Sequence, residues 1–341
     1  MSSQTRELAP PTSWERPSTH YLHALSDPWY RVLVQLQDVI TTKTVGFWSQ
    51  RGVLNLHLPI TTSSVSSPMG IGSDSRPVSI SMFGVETYLA DSMQFMLEYG
   101  CRVAPRGCYY LMPSFRGEDA DDTHLCQFFH SEAEVPGDLD AVIETAETYV
   151  RELTRGLVED VEREILAVAG TLDHLEDAVA APEWPRVTLA EVRKMLDADS
   201  PAWRETPLGI KTLTRAGERM LMDRLGGPVW VTHWDHALVP FYQAFEEGTG
   251  NALNADLLMG PGEVIGAGQR HADDNEVRAA LDMHGVAAEP YDWYLEMKRS
   301  FPMATAGFGM GVERYLMWVL QHYEIRDFEL VVRRNGRPLR P

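Results

Sequence analysis

The stretch that most constrains how this chain can fold lies near its end: Ala306-Gly-Phe-Gly-Met-Gly-Val-Glu-Arg-Tyr-Leu-Met-Trp318. Gly307, Gly309 and Gly311 alternate, so on a strand they strip one face of side chains, and a flat ligand or a second backbone can approach closely. Val312, Tyr315, Leu316, Val319 and Leu320 then recur at helical spacing, which runs the strand directly into a buried amphipathic helix. Arg314 falls in the first turn of that helix, where a guanidinium can stack on a base plane or grip a phosphate. A glycine-rich junction is also a common purely structural device. A dinucleotide fingerprint fits worse, because no third glycine follows at the required place and too little chain remains for a βαβ unit.

Around this junction, strand and helix patterns alternate without a βαβ rhythm, which predicts an α+β fold, a mostly antiparallel sheet flanked by helices. Residues 1–24 read as a flexible arm and 25–341 as one catalytic domain. Helices are expected at 27–44, 91–99, 139–166, 213–225 and 275–284. A strand broken at Pro59 covers 52–61, a hairpin 78–89, and further strands 107–115, 127–134, 229–232, 252–258 and 263–268. The Ser/Gly-rich segment 63–75 is too long for a mere connector and is a candidate binding loop. Prolines bound a helical insertion at about 182–207.

Composition narrows the function classes. The 341 residues leave room for a sizeable core. No run of eighteen apolar residues suggests a membrane span, and the polar start lacks the apolar segment of a signal peptide. Cys101, Cys108 and Cys126 have no metal-ligand spacing, and so sparse a count suits a reducing cytoplasm. A net charge of −19 disfavours an extended surface for nucleic acid.

Four segments place unusual polar residues inside apolar patterns. Arg116 and Glu118 share a face at a strand end; Arg116 can hold a phosphate and Glu118 can accept from an amine, although a surface ion pair is the bland alternative. Asp256 and Glu263 suit Mg²⁺ bridging the phosphates of a nucleotide. Arg270 can form a bidentate bond with a carboxylate. Ser92 and Gln94 interrupt an apolar helix, and Arg314 borders the glycine floor. Each signal is weak by itself.

Together they resemble a family. Phe115-Arg-Gly-Glu118 with Phe128 resembles motif 2 of the class II aminoacyl-tRNA synthetases, Gly307 to Arg314 their motif 3, and Pro59 the proline of motif 1. Gly262-Glu-Val-Ile-Gly-Ala-Gly-Gln-Arg270 and Tyr291-Asp-Trp-Tyr-Leu-Glu296 are similar to the asparaginyl enzymes. Ser67-Pro-Met-Gly-Ile-Gly-Ser-Asp-Ser75, Leu89 to Glu98 and Gln127 to Glu134 resemble most closely the archaeal asparagine synthetases derived from them. The resemblance implies a homodimer formed through motif 1, in the cytoplasm, with ATP and Mg²⁺. It gives Arg116 the α-phosphate and its transition state. Phe128 and Arg314 sandwich adenine beside Gly311, with Arg314 and His124 reaching the outer phosphates. Asp256 and Glu263 hold the metal. Arg270, Ser92, Gln94, Ser67, Asp74, His130 and Glu132 fall to the amino-acid pocket, and Glu118, Asp74 and Asp91 are candidates to bind and deprotonate an ammonium.

Departures from the family pattern shape the functional expectation. The anticodon-binding barrel that precedes motif 1 in the aspartyl and asparaginyl enzymes has no counterpart in this sequence. Ser67 stands where an ammonium-binding glutamate is usual, Leu97 where a lysine or acid is usual, and Thr123 where an arginine precedes His124. The pocket therefore reads as rewritten around an aspartate turned end for end. The leading expectation is an AMP-forming ligase that joins aspartate to ammonia or another amine, with tRNA an unlikely partner. The alternatives are a stand-alone aminoacyl transferase acting on tRNA or a carrier, and a non-catalytic paralogue.

Overall fold

A computed structural model describes residues 8–66 and 76–336. The strands are β1 (Leu54–Asn55), β2 (Thr61–Thr62), β3 (Val78–Met82), β4 (Val85–Leu89), β5 (Cys108–Phe115), β6 (Gln127–Pro136), β7 (Arg186–Thr188), β8 (Trp203–Glu205), β9 (Lys211–Leu213), β10 (Val229–Thr232), β11 (Asn254–Met259), β12 (Gly262–Gln269) and β13 (Thr305–Gly311). The helices are α1 (His20–Ser26), α2 (Pro28–Arg51), α3 (Gln94–Cys101), α4 (Leu139–Ala169), α5 (Asp173–Ala180), α6 (Leu189–Met195), α7 (Arg215–Leu225), α8 (Asp274–His284), α9 (Asp292–Ser300) and α10 (Val312–Val319). One sheet runs in the order β1-β5-β6-β13-β12-β11-β10-β7. Its interior pairs are antiparallel, and only the edge strands β1 and β7 lie parallel to their neighbours. This is the expected α+β architecture. No helix among the described residues is long and apolar enough to cross a membrane.

Two helices cover one face of the sheet, each for a reason visible in its sequence. In α4, Val142, Ile143, Ala146, Tyr149, Val150, Leu153 and Leu157 form one buried stripe at helical spacing. Asp138 caps its start by accepting from Ala141 N at 3.0 Å. Helix α2 extends beyond residue 44 because Phe47 and Trp48 prolong its apolar side, and it stops at Gly52, whose φ of +68° suits glycine. Trp48 stacks on Tyr149 and Tyr109, with ring centroids 5.6 Å apart in each pair. The buried Tyr149 hydroxyl is satisfied by Thr44 Oγ1 at 2.7 Å and Ser131 Oγ at 2.8 Å.

Two expectations need correction. The segment at 182–207 is mixed rather than helical: β7 supplies an edge strand of the main sheet, and Thr188 with Glu191 forms a capping box at the start of α6. Buried Val187, paired with Val231, decides the strand. Residues 8–26, placed mostly in a flexible arm, make specific buried bonds. Ser13 Oγ lies 2.8 Å from the Tyr30 hydroxyl and 3.0 Å from His20 Nδ1, and Trp14 Nε1 donates to Asp327 Oδ1 at 2.9 Å. Near the other end of the chain, Asn335 Nδ2 donates to the carbonyls of Gly117 and Glu118 at 2.8 and 2.9 Å.

Gly268 on β12 and Gly307 on β13 face each other in register, and Gly307 faces Glu134 on β6. A Cβ at Gly307 would fall 1.8 Å from Glu134 Oε2, and one at Gly268 would fall 1.9 Å from Gln243 Oε1. These glycines therefore make room for the protein's own polar side chains. Gly307→Ala is expected to destabilise the fold by about 1–3 kcal/mol through overpacking, and urea denaturation would measure the loss. Exposed Gly248, whose added Cβ meets nothing within 4 Å but whose φ is +77°, serves as a strain-only comparison.

Candidate active site

Strands β5 and β6, the loop between them, β12 and the β13–α10 junction surround a cavity of about 200 Å³. Arg116, at the end of β5, and Arg314, at the start of α10, both line it. The Arg116 guanidinium lies over the Phe128 ring at 5.3 Å, and its buried Nε has no hydrogen-bond partner among the described residues. Arg314 Nη1 donates to the carbonyl of Glu263 at 3.0 Å. Gly311 and His124 also line it. An aromatic ring, two guanidiniums and a side-chain-free strand end together suit a planar base carrying phosphate.

A second cavity, of about 290 Å³, adjoins the first; Arg116, His130, Glu263 and Gly309 line both. Ser92, Gln94, Leu97, Glu132, Asp256 and Arg270 line the second. Glu132 is buried and fully engaged. Ser92 Oγ donates to its Oε2 at 2.6 Å, the Tyr110 hydroxyl donates to the same oxygen, and His130 Nδ1 stands 2.8 Å from Oε1. Burial by itself would raise its pKa, but His130 and these donors hold the carboxyl below its ordinary value.

Arg270 is also occupied. Its Nε and Nη2 donate to the Glu134 carboxylate at 3.1–3.2 Å, and its Nη1 donates to Gln243 Oε1 at 2.9 Å. Burial pushes the Glu134 carboxyl up to about 7, although facing Arg270 opposes the rise. Behind it, buried Lys298 pairs with Glu98 at 2.5 Å, and Gln94 Nε2 donates to Glu98. The Gln94 Oε1 atom is buried without a partner among the described residues.

The two carboxylates expected to hold a metal line the second cavity together. Burial, followed by the facing charges of Glu263 and Glu218, pushes Asp256 well above its ordinary pKa. Glu218, on α7, is pushed up to about 7 by burial and then by Glu263. Like charges crowded in this way, only partly offset by Arg314 and Arg215, are what a divalent cation neutralises. Among the described residues no three or more His, Cys, Asp or Glu side chains converge on one metal position. The site therefore fits Mg²⁺ held by two carboxylates with the remaining oxygens from phosphate and water, the usual arrangement for that ion.

The arrangement departs from expectation at several places. Ser67 and Asp74 lie outside the described residues. Glu118 lines neither cavity; its Oε1 accepts from Arg76 N at 2.9 Å. Asp91 is buried, accepts from Ser66 N at 3.1 Å and lines the second cavity. His124 does not stand alone where an arginine is missing, because Arg215 Nη2 lies 3.2 Å from its Nδ1. Burial, then the charge of Arg314, lowers the His124 pKa. Sequence reasoning missed Arg215, Glu218, Gln243 and Glu134. Only Glu134 carried a signal, its spacing of two from Glu132 on one strand.

One carboxyl at the nucleotide cavity gives a pH-dependent test. Both oxygens of buried Glu313 accept from Phe129 N at 3.1 Å, and burial pushes its pKa up to about 7. The folded pKa lies above the unfolded value near 4.5, so its stabilising contribution is complete below about pH 4.5 and is lost as pH rises through 7. Glu313→Gln is expected to flatten this part of the stability–pH curve, as read by urea denaturation from pH 4.5 to 8.

A family model described as tRNA synthetases class II (D, K and N) matches residues 14–333. The asparagine–tRNA ligase of Acholeplasma laidlawii is 30% identical over 278 residues, which cover 79% of this chain and 59% of that protein. A probable cytoplasmic asparagine–tRNA ligase of Encephalitozoon cuniculi is 29% identical over 264 residues, covering 75% and 58% respectively. The chain thus spans about three-fifths of the length of these two relatives. In fold it is similar to the asparaginyl-tRNA synthetase of Pyrococcus horikoshii solved with asparaginyl-adenylate: the TM-score is 0.86, with 24% identity, 98% of this chain and 74% of that one. These matches overturn two expectations, the aspartate–ammonia ligase that makes free asparagine and tRNA as an unlikely partner. The physical reason is Arg270. The reversed-aspartate reading needs an unpaired positive charge there, and Glu134 already neutralises it while Gln243 takes a further N–H.

Proposed function

We propose, from the premise that this chain belongs to the class II tRNA synthetases (D, K and N), that it condenses an amino acid of the asparagine type with ATP and passes the aminoacyl group to tRNA. The observation that carries this reading is the pair of adjoining cavities whose shared rim includes Arg116. In it the nucleotide occupies the Phe128–Arg314 side and the amino acid the Gln94–Arg270 side. The α-carboxylate then meets the α-phosphorus beside Arg116, which offsets charge developing on the phosphoryl oxygens. Arg314, His124 and Arg215 border the way out of the nucleotide cavity and suit the outer phosphates. Asp256 and Glu263 would hold Mg²⁺, which supplies charge neutralisation as pyrophosphate departs.

The amino-acid side favours a neutral amide over a second carboxylate. Arg270 is neutralised by Glu134, and Asp91 and Glu132 line the same cavity. A carboxylate side chain there meets net repulsion, whereas an amide can donate to an acid and accept from Arg270 or Gln94. The test is amino-acid-dependent exchange of labelled pyrophosphate into ATP, followed by transfer of labelled asparagine or aspartate to unfractionated tRNA. Exchange with asparagine exceeding that with aspartate, and acid-precipitable label on tRNA, are expected. Exchange with neither amino acid would refute the proposal.

A further inference from the structure

His130 projects from β6 at the rim common to both cavities, and the activation chemistry described above makes no use of it. Its surroundings are built rather than incidental. Nδ1 lies 2.8 Å from Glu132 Oε1 and 2.9 Å from Ser114 Oγ, and the Phe128 ring meets the imidazole edge-on at 4.8 Å. Glu132 is itself fixed by Ser92 and Tyr110. No side chain at position 309 crowds this carboxylate, and a Cβ there would fall 3.1 Å from Glu132 Oε1. A carboxylate facing Nδ1 places the ring proton on that nitrogen and leaves the Nε2 lone pair free. Nε2 has no hydrogen bond to a described residue and is not closed off by burial. His130 and Arg116 line both cavities together. This is the geometry of a base oriented by an acid, as in nucleophile-activating triads.

We infer that the Glu132–His130 dyad is the general base of the transfer step, with His130 a catalytic residue that deprotonates the acceptor hydroxyl and Glu132 a positioning residue. The inference rests on the reading of the site as an aminoacyl transferase. As the ribose hydroxyl oxygen of the acceptor bonds to the adenylate carbonyl carbon, its proton passes to His130 Nε2. The bond from that carbon to the phosphate oxygen breaks, AMP leaves with the electron pair, and the imidazolium returns its proton to solvent. The titratable and charged groups that line the two cavities with His130 include Asp91, Arg116 after β5, His124, Glu132 and Glu134 on β6, Asp256 on β11, Glu263 on β12, Arg270, and Glu313 and Arg314 on α10.

The experiment separates the two steps. Enzyme is loaded with ATP and labelled asparagine, the adenylate complex is isolated, unfractionated tRNA is added, and single-turnover transfer is followed from pH 5.5 to 8.5. Wild-type transfer is expected to rise with pH and then level off. In His130→Gln, transfer falls about a hundredfold or more, its rise with pH disappears, and added imidazole restores part of the rate. Pyrophosphate exchange falls less than tenfold, and the unfolding midpoint of the variant shows that the fold is retained. Transfer by the variant within threefold of wild type and with the same pH profile overturns the inference alone. An equal loss of exchange and transfer overturns it too, because His130 would then serve binding. If the wild-type chain charges no tRNA while exchanging pyrophosphate, the transferase reading falls and takes this inference with it.

Discussion

Replacing Arg116 by alanine is expected to lower amino-acid-dependent pyrophosphate exchange by about 10²–10³-fold, the usual cost of removing one preorganised group that meets charge formed in the transition state. The guanidinium is half-buried at the rim of both cavities, and its Nε has no acceptor among the described residues. Among the described residues its guanidinium packs on the Phe128 ring at 5.3 Å, so the fold should lose no more than about 1 kcal/mol. Exchange kinetics and urea denaturation on the same preparation therefore separate catalysis from folding. Arg116→Lys should recover little, because an ammonium cannot span two phosphoryl oxygens as the planar fork does. If the alanine variant kept a tenth of wild-type exchange, another group would have to stabilise the phosphoryl centre.

Arg270→Met is expected to destabilise the fold by about 3–5 kcal/mol, because it leaves the Glu134 carboxylate buried and unpaired. Glu134 is fully buried, and Arg270 supplies three of its hydrogen bonds. The loss should depend on pH with a definite sign. Burial already raises the Glu134 carboxyl to about 7, and removing the guanidinium raises it further. The folded variant then keeps its proton where folded wild type has lost it, so its deficit against wild type grows as pH rises through about 7. Urea denaturation at pH 5 and pH 8 should show the wider gap at pH 8. Adding Glu134→Gln should recover part of the loss and remove this pH dependence. Equal deficits at both pH values would mean that lost packing, not the unpaired buried charge, sets the cost.

Periodic features were the legible ones. The alternating glycines and the apolar spacing after them mark β13 and α10, and the alternation before and after the charged loop marks β5 and β6, to within one or two residues. Arg116, Phe128 and Arg314 sit at the ends of those elements, so the pattern that located the strands also located the residues. The walls contributed by distant segments carried no such signal. Glu218 and Arg215 lie in the exposed-looking first turn of α7, and only the tertiary fold brings them to Glu263 and His124. Strand β7 is three residues long, too short for a period of two to register. Residues 13–26 look unstructured by composition because Ser13 and His20 are polar, yet both are buried with hydrogen-bond partners. Composition cannot distinguish a polar residue in water from one satisfied in a core.

The bonds from Asn335 to the carbonyls of Gly117 and Glu118 clasp the residues next to Arg116 with a segment more than two hundred positions further along the chain. Trp14 and Asp327 tie the opposite end in the same manner. At about 5–20 residues per second a ribosome releases these partners roughly ten to forty seconds apart, so the loop that follows Arg116 stays unlatched until Asn335 has emerged. Contacts of such long sequence separation close late and slowly. The interior strand β13 and helix α10 are themselves made shortly before Asn335, so completion of the sheet and clasping of the nucleotide loop come late together.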